Sequence, residues 1–433
     1  MRQNGQTRVK SALFTAAAAA AIAVMASGCE GKPASTGGTG AGPAGTEASG
    51  PATAGQARED GSGNAPVVPE LIEQNAADYT REIVASGLNV PWELVFAPDG
   101  RLFFTERPGQ LRMIRDGKLQ EKPLLQLQDP FISSGEGGLL GLALDPGFAA
   151  NSYLYVYHTY AREGETKNRV LRLKLQGDQA LVDRVLLDGI PGAENHNGGR
   201  IKFGPDGMLY VTTGEKYDPP LAQDKNSLGG KIFRIRPDGS IPEDNPFPGS
   251  PVYSWGHRNA QGLAWDPQSG SLLSSEHGQS AHDELNVIVP GGNYGWPLIE
   301  GDETGSPKAA GALIPPLLHS GKDTWAPSGM TFIRQGPWQG RLAVAGLRGT
   351  KLLLFTLEPD RTLAPGAGAS AVPVYKLTKA EAAFAGTFGR LRSVTEGPDG
   401  SLYLLTNNRD GRGQPAGDDD KIIRLKPKRS GVE

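Results

Sequence analysis

From about residue 80 the chain alternates short apolar runs with tight polar turns, and the alternation repeats. Pro98-Asp99-Gly100 leads into Leu102-Phe103-Phe104, Pro205-Asp206-Gly207 into Leu209-Tyr210-Val211, and Pro398-Asp399-Gly400 into Leu402-Tyr403-Leu404. Looser copies lie between them. Asp145-Pro146-Gly147 precedes Tyr153-Leu154-Tyr155-Val156, Asp266-Pro267 and Gly270 precede Leu272-Leu273, and Pro337 and Gly340 precede Leu342-Ala343-Val344. Proline presets φ and glycine accepts positive φ, so each Pro-Asp-Gly predicts a sharp reversal into a strand. A second strand type, usually with basic residues on one face, follows each marker, at 111–115, 169–175, 231–236, 285–289, 351–357 and 421–426.

The markers fall at 100, 151, 207, 270, 340 and 400. Six units of about sixty residues, each with room for four short strands, predict an all-β fold. A six-bladed β-propeller of four-stranded blades fits this better than a pair of sandwiches. The first unit starts near Tyr79 and the last strand ends near residue 426. A strand from one end can therefore join the blade at the other and close the ring, which removes exposed edges.

Composition separates this body from what precedes it. The 433 residues include 60 Gly and 34 Pro, well above the average of about 12% for the two together. Residues 1–70 hold 12 of the Gly, 5 of the Pro and one aromatic, Phe14, so the remaining excess sits in an aromatic-rich, folded, turn-dense body. One Cys rules out an internal disulfide framework, and a net charge of −3 with mixed signs gives no footprint for nucleic acid. At the start, Arg2, Arg8 and Lys10 precede an apolar run over 11–25 that ends in Ala26-Ser27-Gly28-Cys29. This resembles a bacterial lipoprotein signal over 1–28, with Cys29 lipidated as the mature N-terminus; Ala26 replaces the usual Leu. An ordinary secreted protein with a free thiol is the alternative. Residues 29–70 read as a Gly/Ala/Pro-rich tether and 71–433 as the propeller. The expected setting is the cell envelope, with the chain exported and membrane-anchored at Cys29.

Propeller strands build the scaffold, so chemistry is expected in loops at one mouth of the channel. Four segments carry polar residues that a turn does not require: 194–200 with Asn195-His196-Asn197, 256–262 with His257-Arg258-Asn259, 275–284 with Glu276-His277-Gly278-Gln279 and Asp283-Glu284, and 389–392 with Arg390 and Arg392. A His between Asn and Gly residues is more often a turn residue than a base. Arg390 and Arg392, two apart on an extended segment, point the same way and suit a polyanion or carboxylate. Asp283 and Glu284 with nearby carbonyls suit a hard cation such as calcium, whereas the histidines lack the spacing for zinc.

These segments, with Gly291-Gly292-Asn293-Tyr294-Gly295-Trp296-Pro297, Gly135-Glu136-Gly137-Gly138 and Ala326-Pro327-Ser328-Gly329, resemble in order the motifs of the soluble quinoprotein glucose/sorbosone dehydrogenase family, particularly its aldose sugar dehydrogenase branch. The resemblance runs from about residue 80 to 427. It implies a propeller holding pyrroloquinoline quinone (PQQ) and calcium, oxidising an aldose and passing electrons to a separate acceptor, a quinone or a cytochrome. By matching residue, His196 is implied as the general base for the sugar hydroxyl, with hydride passing to the quinone C5, and Glu215 as the acid that orients His196. Arg258 and Asn259 are implied near the reactive carbonyl, and Arg390 and Arg392 on the cofactor carboxylates. Backbone carbonyls of Gly278 and Gln279 are implied as ligands of the cofactor-bound calcium, and Glu284 and Tyr294 as a second, structural calcium site. Two positions depart from the pattern. Glu136 replaces a Gln that often contacts the cofactor, and its charge repels PQQ unless it turns away or pairs. Arg348 replaces a Lys that often binds the cofactor. The alternatives are a non-catalytic, surface-tethered propeller that binds glycans or protein, and a metal-dependent sugar lactonase, which leaves Arg258-Asn259 and Arg390/Arg392 without a purpose.

Overall fold

The computed structural model describes residues 66–303, 312–363 and 372–428; the signal segment, Cys29 and most of the expected tether lie outside them. Six antiparallel sheets of four principal strands follow one another along the chain. Blade 1 comprises Pro91–Phe96, Leu102–Glu106, Gln110–Arg115 and Lys118–Leu119, and blade 2 comprises Leu139–Leu144, Tyr153–Arg162, Glu165–Gln176 and Gln179–Pro191. Blade 3 comprises Ile201–Phe203, Leu209–Thr212, Lys231–Ile235 and Val252–Trp255, and blade 4 comprises Ala260–Trp265, Leu272–Glu276, Glu284–Ile288 and Leu318–His319. Blade 5 runs through Pro327–Phe332, Leu342–Gly346, Lys351–Leu363 and Val372–Ala383, and blade 6 through Leu391–Glu396, Leu402–Thr406 and Ile422–Pro427. Its fourth strand comes from the other end: Tyr79–Ala85 pairs antiparallel with Ile422–Pro427, Tyr79 opposite Pro427. The ring is closed as the repeat requires.

The six markers lead into the second strands, whose opening residues are mostly apolar because both faces are buried there, while polar residues such as Thr105-Glu106 and Ser274-Ser275-Glu276 close two of them. Along Leu102–Glu106, Phe103 packs between blades 1 and 2, while Phe104 turns to the core between blades 6 and 1. Leu154 and Val156 face blade 1, and Tyr155 and Tyr157 face blade 3. Alternate residues of a strand point to opposite faces, so one strand feeds two cores. Each of the six blade interfaces has its own apolar cluster.

Two features lie beyond the repeat. Ile72–Glu73 adds a parallel strand to the outer edge of blade 5, and Leu125–Gln126 pairs onto the third strand of blade 1. Docking also begins before residue 71, where the tether was expected to end. The Val68 N–H donates to the His319 carbonyl at 2.9 Å, and the Val68 side chain is buried among blades 4 and 5.

Antiparallel order decides which loops meet. Turns from first to second strand, including the Pro-Asp-Gly turns at 98–100, 205–207 and 398–400, lie on one face; second-to-third and blade-to-blade connections lie on the other. Most candidate residues occur in or directly beside this second set, whereas Tyr294 lies in the long connection from the third to the fourth strand of blade 4.

Candidate functional site

His196 sits in the connection from blade 2 to blade 3, in the left-handed region at φ 56°. Its neighbour across the mouth is the loop after Leu209–Thr212, which carries Glu215. The two loops touch through glycine: a Cβ on Gly214 would stand 2.0 Å from the His196 carbonyl oxygen, and one on Gly198 would stand 2.6 Å from Thr213 Cα. Both contacts exclude any side chain, so the approach depends on glycine. It brings the His196 Nδ1–H to donate to Glu215 Oε1 at 3.0 Å, with both residues buried. Glu215 Oε2 accepts the Tyr217 N–H. The tautomer is thereby fixed, and Nε2 takes no partner among the described residues.

Glu276 organises the next loop. Its carboxylate accepts the Arg258 and Asn259 N–H groups, the latter at 3.1 Å, and the His257 Nδ1–H at 3.0 Å. Asn259 Oδ1 in turn accepts the Gly198 N–H at 3.0 Å, tying this loop to the His196 loop. Each residue keeps one unused donor: Arg258 Nε and Asn259 Nδ2 are buried without a hydrogen-bond partner, while Arg258 Nη1 donates to the His277 carbonyl at 3.2 Å. Such orphaned donors are rare in a folded interior and mark places built for an acceptor.

Arg390 and Arg392 were expected to act together, and the structure separates them. Arg390 makes a fork onto Asp410 Oδ2 through Nε and Nη2 at 2.9 and 2.8 Å, so its charge is satisfied within the protein. The fourteen-residue loop 407–420 that supplies Asp410 carries none of the motifs read from the sequence. Arg392 is buried with only neutral acceptors, Gln261 Oε1 at 2.9 Å and Asn407 Oδ1 at 3.3 Å, and forms no ion pair among the described residues. Burial pushes its guanidinium down to about 9 despite the help of Asp410 and Glu136. A buried cation without an anion is costly, and a ligand carboxylate would relieve it. Trp92 lies beneath it, with the guanidinium 5.5 Å from the ring centroid. Arg200 is the contrasting case: equally buried, it pairs with Glu93 inside the channel.

Glu136 does pair. Arg412, also from 407–420, reaches across to Glu136 Oε1 and to Asn195 Oδ1. Burial disfavours the Glu136 charge, yet His277 and Arg412 hold its carboxyl down at about 2. Its other oxygen accepts the His196 N–H at 3.1 Å. Glu136 thus supports the His196 loop, and Arg412 cancels its charge. Arg348 is exposed and its side chain has no hydrogen bond or ion pair among the described residues; it belongs to the mouth by backbone only.

The calcium candidates divide. Asp283 is used up on backbone, accepting N–H groups of Gly278, Trp325 and Ala326 at 3.0, 2.6 and 2.9 Å. Gln279 is exposed and donates its N–H to Glu300. Gly278 has no room for a side chain, since a Cβ would stand 1.8 Å from the Ala281 carbonyl oxygen. A small, partly open pocket brings Glu276, Glu284, Glu300 and Tyr294 together with Gly278 and Arg258. Burial and the adjacent Glu276 push the Glu284 carboxyl up to about 8, a shift that a cation beside it would reverse. Among the described residues no three His, Cys, Asp or Glu side chains form a metal-binding group, so calcium would need backbone carbonyls. The Tyr294 hydroxyl is not free for it: it donates to the Val287 carbonyl at 2.5 Å and accepts the Val289 N–H at 2.9 Å.

The family model for glucose/sorbosone dehydrogenase matches residues 88–423. The chain belongs to this family. A glucose/sorbosone dehydrogenase relative, aldose sugar dehydrogenase YliI of Escherichia coli, is 32% identical over 352 residues, covering 76% of this chain and 90% of that protein. Among solved structures, the PQQ-bound form of aldose sugar dehydrogenase from Streptomyces coelicolor is 40% identical, with a TM-score of 0.66 over 81% of this chain and 98% of that one. A crystal structure from Thermus thermophilus, described as an oxidoreductase of glucose dehydrogenase type, is 47% identical, with a TM-score of 0.71 over 80% of this chain and 99% of that one. Within the family frame, the residues that the sequence did not reveal are Arg412, Asp410 and Tyr217. Each is an ordinary loop residue in sequence and acquires its role only through contacts between loops.

Proposed function

We propose that this glucose/sorbosone dehydrogenase family member oxidises aldose sugars to lactones using PQQ and calcium. The observation that carries the reading is His196: its Nδ1 is committed to Glu215 at 3.0 Å, leaving Nε2 bare at a mouth with buried, anion-seeking donors. PQQ, when bound, supplies a quinone able to accept hydride at C5, and calcium supplies a Lewis acid at its carbonyl. The residues present fit a planar tricarboxylate. Arg392 offers an uncompensated guanidinium, Arg258 Nε and Asn259 Nδ2 offer unused donors, and the pairing of Glu136 with Arg412 removes the main source of repulsion.

His196 accepts the sugar hydroxyl proton at Nε2, and Glu215 stabilises the resulting imidazolium from the Nδ1 side. Glu276 holds Arg258 and Asn259 in place. The backbone around Gly278 and Gln279 serves calcium. Export and anchoring at Cys29 belong to the same reading, with a separate quinone or cytochrome as electron acceptor; the acyl mass of the mature N-terminal peptide tests the anchor.

The principal test is reconstitution. Purified protein treated with PQQ and calcium is expected to reduce a dye in the presence of aldoses, and omission of either is expected to abolish the activity. No activity and no cofactor spectrum would end this reading.

A further inference from the structure

Tyr217 does something that the fold does not require. It is 61% exposed and belongs to none of the apolar clusters between blades. Its hydroxyl makes no hydrogen bond among the described residues. Yet the chain holds it in place with care. Lys216 and Tyr217 are successive non-glycine residues in the left-handed region, at φ 52° and 63°, an arrangement that side chains with a Cβ resist. Three N–H groups brace the turn: Tyr217 donates to Glu215 Oε2, Lys216 to the His196 carbonyl at 3.3 Å, and Asp218 to the Glu215 carbonyl at 2.8 Å. One carboxylate therefore fixes both the His196 ring and the Tyr217 backbone. The result is an aromatic ring whose centroid lies 4.0 Å from that of His196, tilted by 47°.

An exposed aromatic held by a strained turn beside a base is an asset only if something covers it. A pyranose presents C–H groups on its faces and hydroxyls on its rim. An aromatic face matches the former and leaves the latter to polar neighbours, and Asn195 and Arg412 supply polar groups at this rim. We propose that Tyr217 is the substrate platform: it stacks against the C–H face of a pyranose and holds the sugar at the mouth beside His196. Tyr217 thereby selects ring sugars with an unobstructed face. This rests on the dehydrogenase reading above.

The test uses full-length protein treated with PQQ and calcium, in wild type, Tyr217→Ala, Tyr217→Ser, Tyr217→Phe and Tyr217→Trp forms. Calorimetric titration with 1,5-anhydroglucitol, a pyranose lacking the anomeric hydroxyl, reads binding without turnover. Dye reduction with D-glucose gives KM and kcat. The Ala and Ser variants are expected to weaken binding and raise KM about five- to tenfold with kcat little changed, while Phe and Trp remain near wild type. Unchanged binding and KM in Ala and Ser would overturn the platform, and so would a fall in kcat at constant KM, which would make the ring only a support for His196. If wild type binds the anhydro sugar through Tyr217 but reduces no dye, the dehydrogenase reading fails and the platform stands; if wild type does not bind it, the platform fails.

Discussion

Replacing Glu215 by Gln puts the His196 geometry under a specific conflict. Both carboxylate oxygens of Glu215 accept hydrogen bonds, one from His196 Nδ1–H at 3.0 Å and the other from the Tyr217 N–H. An amide has one oxygen and one NH₂ for these two donors. If the oxygen faces Tyr217, the NH₂ faces Nδ1 and drives the ring to the other tautomer, with the proton on Nε2 where the sugar hydroxyl must deliver its own. If the oxygen faces His196, two N–H groups confront each other at a buried site, costing about 1–3 kcal/mol. The first arrangement removes the base, and the second strains the loop that presents it. Loss of a correctly oriented general base lowers kcat by about 10²- to 10⁴-fold. The assay is steady-state dye reduction by Glu215→Gln loaded with PQQ and calcium, alongside an absorbance titration of cofactor binding. Binding is expected to stay within about threefold of wild type, because Glu215 does not supply the donors left for the cofactor. A kcat within a few-fold of wild type would refute the assignment of Glu215.

Three further outcomes follow from other contacts. Arg392→Met is expected to weaken PQQ binding about thirtyfold or more, since a charge-assisted pair is lost. The melting temperature of the cofactor-free protein should change little, because removing a buried unpaired charge offsets the lost hydrogen bonds. Arg412→Ala leaves Glu136 charged and unshielded at the mouth, so PQQ affinity should fall; the double variant with Glu136→Gln should recover it, and an additive loss in the double variant would contradict this electrostatic role. His158 concerns stability and pH. Its Nδ1–H donates to the Thr159 carbonyl at 3.0 Å and its Nε2 accepts the Arg169 Nε–H at 2.8 Å, so the ring is held neutral, and burial lowers it from the usual 6.5 to about 4. The native pKa lies below the unfolded one, so as pH falls from about 6.5 to 4 the unfolded chain takes up the proton first, and stability worth about 3 kcal/mol is lost. Denaturant unfolding across this range should show a shallower decline for His158→Gln than for wild type.

The fold was legible because its markers are local. Pro-Asp-Gly followed by an apolar run states both a turn and a strand within seven residues, and repetition turned local statements into a ring. The parallel strand Ile72–Glu73 was not legible, because its pairing partner at Glu381 and Ala382 lies three hundred residues away and nothing in the two residues announces it. The site shows the same division. His196, Glu215, Arg258 and Asn259 stand in recognisable motifs, and the glycines around them explain how they meet. The Arg390–Asp410 fork and the Glu136–Arg412 pair arise where a loop of blade 6 reaches other elements. Two arginines on one strand face looked alike in sequence, and only their partners distinguish the satisfied one from the unsatisfied one. Tyr294 was expected at calcium through its place in a motif; its hydroxyl closes a turn against Val287 and Val289, which leaves its backbone carbonyl as the group it could offer a cation.

The most direct measurement is rapid mixing of an aldose with PQQ- and calcium-loaded protein, following the absorbance of the bound cofactor in wild type and in His196→Gln. Wild type should show sugar-dependent reduction, and His196→Gln should hold the cofactor with unchanged affinity while reduction slows at least about 10²-fold. Reduction of His196→Gln at the wild-type rate would contradict the role of His196 as the base.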